Sequence, residues 1–438
     1  MKKRILSTIL VAALMFGALG GMFTVDAGAA SKWSGYTKIS KPEDLLKMKD
    51  STKKFYLSKN IDLSEYGNWQ PINFLGTLDG DGYAIRNLKS SGDKTAGGLF
   101  SRLELATVKN LGLVSVTVSV KVGGGTGSRK GVGGLASEAS ESTIENCYIT
   151  GQVSGYSEAN TSVYFDWGLQ SVGGLVGHID DKVTFKNCVN LASVNLSGGQ
   201  SRKKSYAGGI VGNGYSSVLT NCLNAGKVSF APRGSNDAAT AKIVGYVGGI
   251  AGYLDGTATS CHNTGKVTAA SGENATAGDL IGYGGMNTVT KDCVYNGKNS
   301  FVGASDDGFA GKASKKSSST MKKQATYKGF DFKKIWFSDA KINSGYPILQ
   351  NMLSNYNASR PTANKKAGSY SKNTEITLST NLSGVTIRYT TNGKDPTTSS
   401  TKYSKAIKLT KNTKIKAAVF TNNGKIRGKV VTLDYKVK

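Results

Sequence analysis

Residues 208–228 read GGIVGNGYSSVLTNCLNAGKV. A glycine pair opens the stretch, Cys222 stands 13 residues after the second glycine, and a short β-type segment, Gly226-Lys227-Val228, follows. The same order recurs along the chain. Glycine pairs open Gly97-Gly98-Leu99-Phe100, Gly133-Gly134-Leu135-Ala136, Gly173-Gly174-Leu175-Val176-Gly177 and Gly248-Gly249-Ile250-Ala251-Gly252, and Gly278-Asp279-Leu280-Ile281-Gly282 is a degenerate sixth copy. Cys147, Cys188, Cys261 and Cys293 hold the place of Cys222, and Leu111 holds it in the first copy. The residue before it is Asn110, Asn146, Asn187, Asn221, Ser260 or Asp292.

Self-similarity at this period marks a solenoid, because one unit buries too little apolar surface alone and must stack on its neighbours. The segments are short, β-type and broken by glycine, without the three- and four-residue spacing of helices. A parallel β-helix follows, with three short strands per rung and equivalent residues stacked one strand spacing apart, about 4.8 Å. Cysteine recurring at one rung position reads as a ladder of buried thiols, Cys147, Cys188, Cys222, Cys261 and Cys293. No CxxC spacing exists, so these residues are not read as a metal site. A disulfide between adjacent rungs stays open at this point. The asparagine before each cysteine is expected to hydrogen-bond the backbone at a rung corner.

The composition agrees. Glycine accounts for 56 of 438 residues and proline for 6, which excludes collagen and proline-rich linkers. Between residues 72 and 346 only Pro232 interrupts the chain, as a strand ladder requires. His178 and His262 are the two histidines, and they form no HExxH pair, which excludes that class of zinc peptidase. Asp180-Asp181 lies beside His178, and Asp79 and Asp81 share a turn. Nothing reads as a paired-acid constellation recurring on one rung face, so no catalytic residue, metal or cofactor is assigned.

Residues 1–30 read as a signal peptide: Lys2, Lys3 and Arg4, an apolar run from Ile5 to Phe23, then the small-residue pattern Ala27-Gly28-Ala29. No second span follows, so an exported chain without a transmembrane segment is expected. The rungs differ mainly in the insert before the next glycine pair. Tyr156, Tyr164 and Trp167 lie in one insert, Arg202, Lys203, Lys204 and Tyr206 in the next. Stacking should crowd these loops on one edge, where they serve either as a recognition surface or as cover for the solenoid.

The glycine-pair units followed by Asn-Cys resemble GLUG-motif repeats of bacterial surface and secreted proteins. The segment Ile39-Ser40 through Asp79-Gly80-Asp81-Gly82 is similar to the lead-in of such arrays. Within it, Ser40-Lys41-Pro42-Glu43 reads as a capping box that starts a short helix over the open end. Gly329-Phe330-Asp331-Phe332 and Gly345-Tyr346-Pro347-Ile348-Leu349 resemble the closing element. The resemblance covers about residues 36 to 350 and implies a β-helical, extracellular, often adhesive protein without catalytic residues.

Past a polar linker at 351–364, strands alternate cleanly and turns such as Asn392-Gly393 separate them. Residues 387–397, Ile-Arg-Tyr-Thr-Thr-Asn-Gly-Lys-Asp-Pro-Thr, with Tyr403 and Ile415-Lys416-Ala417, resemble the chitobiase/β-hexosaminidase C-terminal type of module, which implies an immunoglobulin-like sandwich. The chain carries a formal charge of +27, and residues 365–438 hold 16 basic against 3 acidic residues. Lys408, Lys414 and Lys416 are expected on the outer face of neighbouring strands, where such a field attracts polyanions.

The expected architecture is all-β: cap and first strands at 31–96, repeat solenoid at 97–300, closing segment at 301–350 and sandwich at 365–438. The expected function is non-catalytic binding of cell-wall polymers or extracellular polysaccharide, with other anionic polymers as further partners and no specific nucleic acid. A β-helical polysaccharide lyase or hydrolase is the alternative. The expected location is extracellular, held non-covalently at a bacterial cell wall.

Overall fold

The computed structural model describes residues 32–92, 96–121, 131–156, 170–198, 204–231, 244–270, 275–307, 309–421 and 428–438. The expected leader at 1–30 falls outside these residues. Residues 36–438 form one compact unit, and residues 32–35, the described part of the other unit, form a turn.

One rung shows the construction. A strand at Gln170–Gly173 precedes the glycine pair, Val176–Asp181 and Thr184–Lys186 follow it, and Val189–Asn190 and Ser193–Ser197 follow the cysteine. Each pairs in parallel with the next rung, Ser171 with Tyr206, Val176 with Val211, Thr184 with Val218 and Val194 with Val228. Among the described residues this produces parallel sheets of 15, 13 and 5 strands, here called the post-glycine, post-cysteine and pre-glycine sheets. The molecule is a parallel β-helix. Inward side chains such as Leu175, Ile179, Phe185, Cys188 and Val194 are fully buried and make one continuous core.

The glycine motif is dictated by close approach. A Cβ on Gly208 would lie 1.9 Å from the Val211 carbonyl oxygen, so the chain can turn this sharply only without a side chain. A Cβ on Gly212 would lie 2.5 Å from the Gly177 oxygen and 2.7 Å from the Val172 nitrogen, which brings the pre-glycine and post-glycine strands of successive rungs together. The corner at the glycine pair is therefore tight.

The five cysteines are buried at one rung position with free thiols. Burial pushes the Cys147 thiol up to about 12. The asparagines before them behave differently from the expectation of backbone bonding. Asn110, Asn146, Asn187 and Asn221 all have left-handed backbone, with φ between 53° and 55°. Their amides bond to each other: Asn146 Nδ2 donates to Asn110 Oδ1 at 3.0 Å, Asn187 to Asn146 at 3.0 Å and Asn221 to Asn187 at 3.2 Å. Rung stacking puts identical amides within reach, so the ladder satisfies itself.

At the N-terminal end a 3₁₀ helix spans Pro42–Met48. Its box is shifted by one residue from the sequence reading. Lys41 is the N-cap, so the third helical residue is Asp44, and its Oδ2 accepts from the Ser40 and Lys41 amides at 2.9 and 3.2 Å.

The expected closing segment first adds the strands Val302–Ser305 and Ala313–Lys315 in parallel to the last rung. It then runs back along the outer face of the post-cysteine sheet as a strap. Lys328 pairs with Asp292 at 3.7 Å, Gly329 O accepts from Asn221, Asn351 Nδ2 donates to Asn146 O, and Asn355 Oδ1 accepts from Arg86. Under it lies a register column, Tyr148, Val189, Leu223, His262 and Val294. Tyr148, Val189 and Leu223 pack into one buried cluster with strap residues Tyr327, Phe330, Trp336, Leu349 and Leu353. Residues 351–364 continue this packing in short 3₁₀ turns, with Met352 and Leu353 buried.

The C-terminal module is an immunoglobulin-like sandwich. Its main sheet has five strands, with Thr413–Thr421 central between Val385–Thr390 and Val431–Val437, and the pairs Thr362–Ala363/Leu378–Ser379 and Glu375–Ile376/Ile407–Lys408 complete it. The module docks on the strap: Lys429 N donates to Ser359 Oγ at 2.8 Å, Ser383 N to Asp339 Oδ2 at 3.1 Å and Lys341 Nζ to Asn381 O at 2.9 Å.

Candidate functional site

The glycine corner also places side chains. The residue four positions after the second glycine is Arg102, Glu138, His178, Asn213, Tyr253 or Tyr283, and these six form one register column on the post-glycine sheet. Two residues before each glycine pair runs a second column, Ser171, Tyr206, Tyr246 and Thr276. Because the corner is tight, the two columns meet instead of splaying apart. Tyr206 and Tyr253 have ring centroids 5.3 Å apart and Tyr246 and Tyr283 4.8 Å apart, while Tyr206 stacks on Tyr246 at 5.8 Å and Tyr253 on Tyr283 at 6.0 Å. Four tyrosines thus make one aromatic wall.

A cavity of about 370 Å³ opens beside it, lined by Tyr206, Tyr253, Tyr283, Lys204, Asp306, His178, Asp180 and Asn213 among others. Lys204 Nζ sits 4.3 Å from the Tyr283 centroid, a cation–π contact. The Tyr283 hydroxyl donates to Asp306 Oδ1. That hydrogen bond, with burial, pushes the Tyr283 phenol up to about 12. At the far side Arg102 Nη1 lies 2.7 Å from Asp180 Oδ2 and 3.3 Å from Glu138 Oε2. His178 Nε2 lies 3.4 Å from Asp180 Oδ1. His178 and Asn213 are 4% and 5% exposed, and His178 Nδ1 and Asn213 Oδ1 have no hydrogen-bond partner among the described residues.

Of the residues singled out in the sequence, Lys204 and Tyr206 line this cavity. Tyr156 ends the post-cysteine strand Tyr148–Tyr156, and the cavity does not include it. Tyr164, Trp167, Arg202 and Lys203 lie outside the described residues. Arg102, Glu138, His178, Asn213, Tyr253 and Tyr283 were not singled out as a group. Their identities vary, but their constant offset from the glycine pair is readable. Stacking brings Glu138 and Asp180, from different rungs, onto the same arginine, a grouping that does not recur along the rung face.

The lysines of the C-terminal module do not share one face. Lys408 lies opposite Glu375 in a two-stranded sheet, whereas Lys414 and Lys416 are in the main sheet and pair with Asp434 at 3.4 Å and Asp395 at 3.0 Å. The chain passes from one sheet to the other between Lys408 and Thr413. Glu375, Asp395 and Asp434 are the module's three acids, so its excess charge resides in the other basic residues.

Residues 365–432 match the chitobiase/beta-hexosaminidase C-terminal domain family. Between 41% and 65% of the chain is similar to proteins named immunoglobulin A1 protease. The protein from Streptococcus pneumoniae (strain ATCC BAA-255 / R6) is 30% identical over 233 residues, covering 48% of this chain and 11% of that protein. The one from S. pneumoniae serotype 4 (strain ATCC BAA-334 / TIGR4) is 28% identical over 332 residues, covering 65% and 15%, and the one from Streptococcus sanguinis is 27% identical over 203 residues, covering 41% and 9%. The chain spans about a tenth of the length of these relatives. A likeness over 65% of the chain exceeds the C-terminal module and draws in the solenoid. Among the described residues no group of three His, Cys, Asp or Glu is placed to hold a metal, and no helix is long and apolar enough to cross a membrane.

Proposed function

We propose that this is an extracellular, non-catalytic glycan-binding protein of a bacterial surface, with the glycine-corner cleft as its binding site. The observation that carries the reading is the four-tyrosine wall beside buried, unpartnered polar atoms. Aromatic faces stack on the apolar faces of sugar rings while convergent polar groups fix orientation. The leader-like N-terminus supports export. The basic module supplies a second, non-specific attraction to anionic wall polymer and holds the protein near its ligand.

Enzyme action is the second reading, favoured by the relatives' name and by the proximity of Glu138 and Asp180. Glycoside hydrolysis by a carboxylate pair needs room for a glycosidic oxygen between the acids. Arg102 fills that space, which supports binding over cleavage.

Co-sedimentation with purified bacterial cell walls tests the proposal. The wild-type chain should leave a bound fraction at about 0.5 M salt, where surface charge attraction is screened. Tyr253→Ala should lose that fraction at least tenfold. Binding that disappears entirely in salt, or that Tyr253→Ala leaves unchanged, contradicts it.

A further inference from the structure

The protein's charge of +27 suggests an anionic ligand, but the cleft is built for another class. Among its described lining residues one lysine, Lys204, stands against two aspartates, Asp180 and Asp306. Lys204 is already engaged with the tyrosine rings, and the nearby Arg102 with Asp180 and Glu138. Among the described residues, an incoming carboxylate or phosphate would therefore meet carboxylates before any unengaged cation.

The orphaned atoms specify the complement. In the neutral tautomer that donates from Nε2 towards Asp180, the His178 ring presents a lone pair at Nδ1. Asn213 Oδ1 is also an acceptor. Both side chains are more than nine-tenths buried, so leaving either acceptor unpaired is costly, and a donor from the ligand relieves it. His178 and Asn213 are register partners on adjacent rungs, which sets their backbones about 4.8 Å apart. Alternate equatorial hydroxyls of a pyranose ring match that interval, with the ring face directed to Tyr253.

We infer that the corner cleft takes an uncharged pyranose glycan, whose hydroxyl or amide hydrogens are donated to His178 Nδ1 and Asn213 Oδ1. This rests on the glycan-binding reading and narrows it to neutral sugars. Calorimetric titration of the full chain with cellotetraose, N-acetylated chitotetraose and tetragalacturonate tests it at moderate salt. The expected result is binding of at least one neutral tetrasaccharide in preference to tetragalacturonate, weakened at least tenfold by Asn213→Leu. Thermal melting checks that Asn213→Leu is folded, and Tyr253→Ala serves as the variant if it is not. Binding confined to tetragalacturonate overturns the inference and leaves the glycan reading standing. Neutral binding that neither variant changes overturns the placement in the cleft. No binding of any of the three overturns both.

Discussion

Asn224 is fully buried and makes four hydrogen bonds. Its Nδ2 donates to Gly226 O at 2.9 Å and Asn263 Oδ1 at 2.8 Å, and its Oδ1 accepts from the Gly226 amide at 3.2 Å and from Asn190 Nδ2 at 2.7 Å. Asn224→Leu keeps the volume but strands partners on two rungs, at a cost of roughly 2 to 4 kcal/mol. Urea unfolding should show a lower midpoint with an unchanged slope, and an unchanged midpoint would contradict the network. At this scale the sequence was legible where identity repeats. The cysteines are uniform because the inward slot accepts one small apolar shape. The corner column of Arg102, Glu138, His178, Asn213, Tyr253 and Tyr283 varies because each points outward, where neighbours rather than the core decide the residue. Searching for repeated residue types therefore passes over it.

The strap carries the main lesson among elements. Its apolar residues would be buried equally well over an open end or along a flank, so their own pattern does not decide. The deciding signal is on the solenoid: the residue after each cysteine points outward yet is Tyr148, Val189, Leu223 or Val294, which requires a cover. His262 occupies the same column, 4.5 Å from the Tyr327 ring and 5.0 Å from Phe330. Burial there holds its imidazole down to about 4, below the usual 6.5. A released strap lets His262 take up a proton that the docked state refuses, so docking is at full strength above about pH 6.5 and weakens as pH falls towards 4. The loss is about 1.4 kcal/mol per unit, on the order of 3 kcal/mol in total. Amide exchange of residues 327–337 should accelerate between pH 6.5 and 4.5 in the wild type, and His262→Phe should flatten that dependence. The neighbouring Lys328–Asp292 pair is solvent-accessible and untouched by the substitution, so an identical acceleration in His262→Phe would contradict the assignment.

For the whole molecule, repeat period and composition were enough to read a β-helix followed by a sandwich. The relative placement of the two was not legible, since contacts such as Ser383 with Asp339 join positions far apart in sequence through single polar bonds. Charge was legible as a total but misleading as a guide to ligand. About half of the excess, +13 of +27, sits in the module, while the described residues lining the cleft carry two aspartates against one lysine. Long-range attraction and specific recognition are thus assigned to different surfaces, and salt separates them. A glycan array probed with the full chain at about 0.5 M salt, wild type beside the Tyr253→Ala/Tyr283→Ala double variant, is the most direct test of that division. The account predicts retention on a defined set of glycans by the wild type and its loss in the double variant. Signal confined to acidic glycans and abolished by salt, or an identical pattern in the variant, would contradict it.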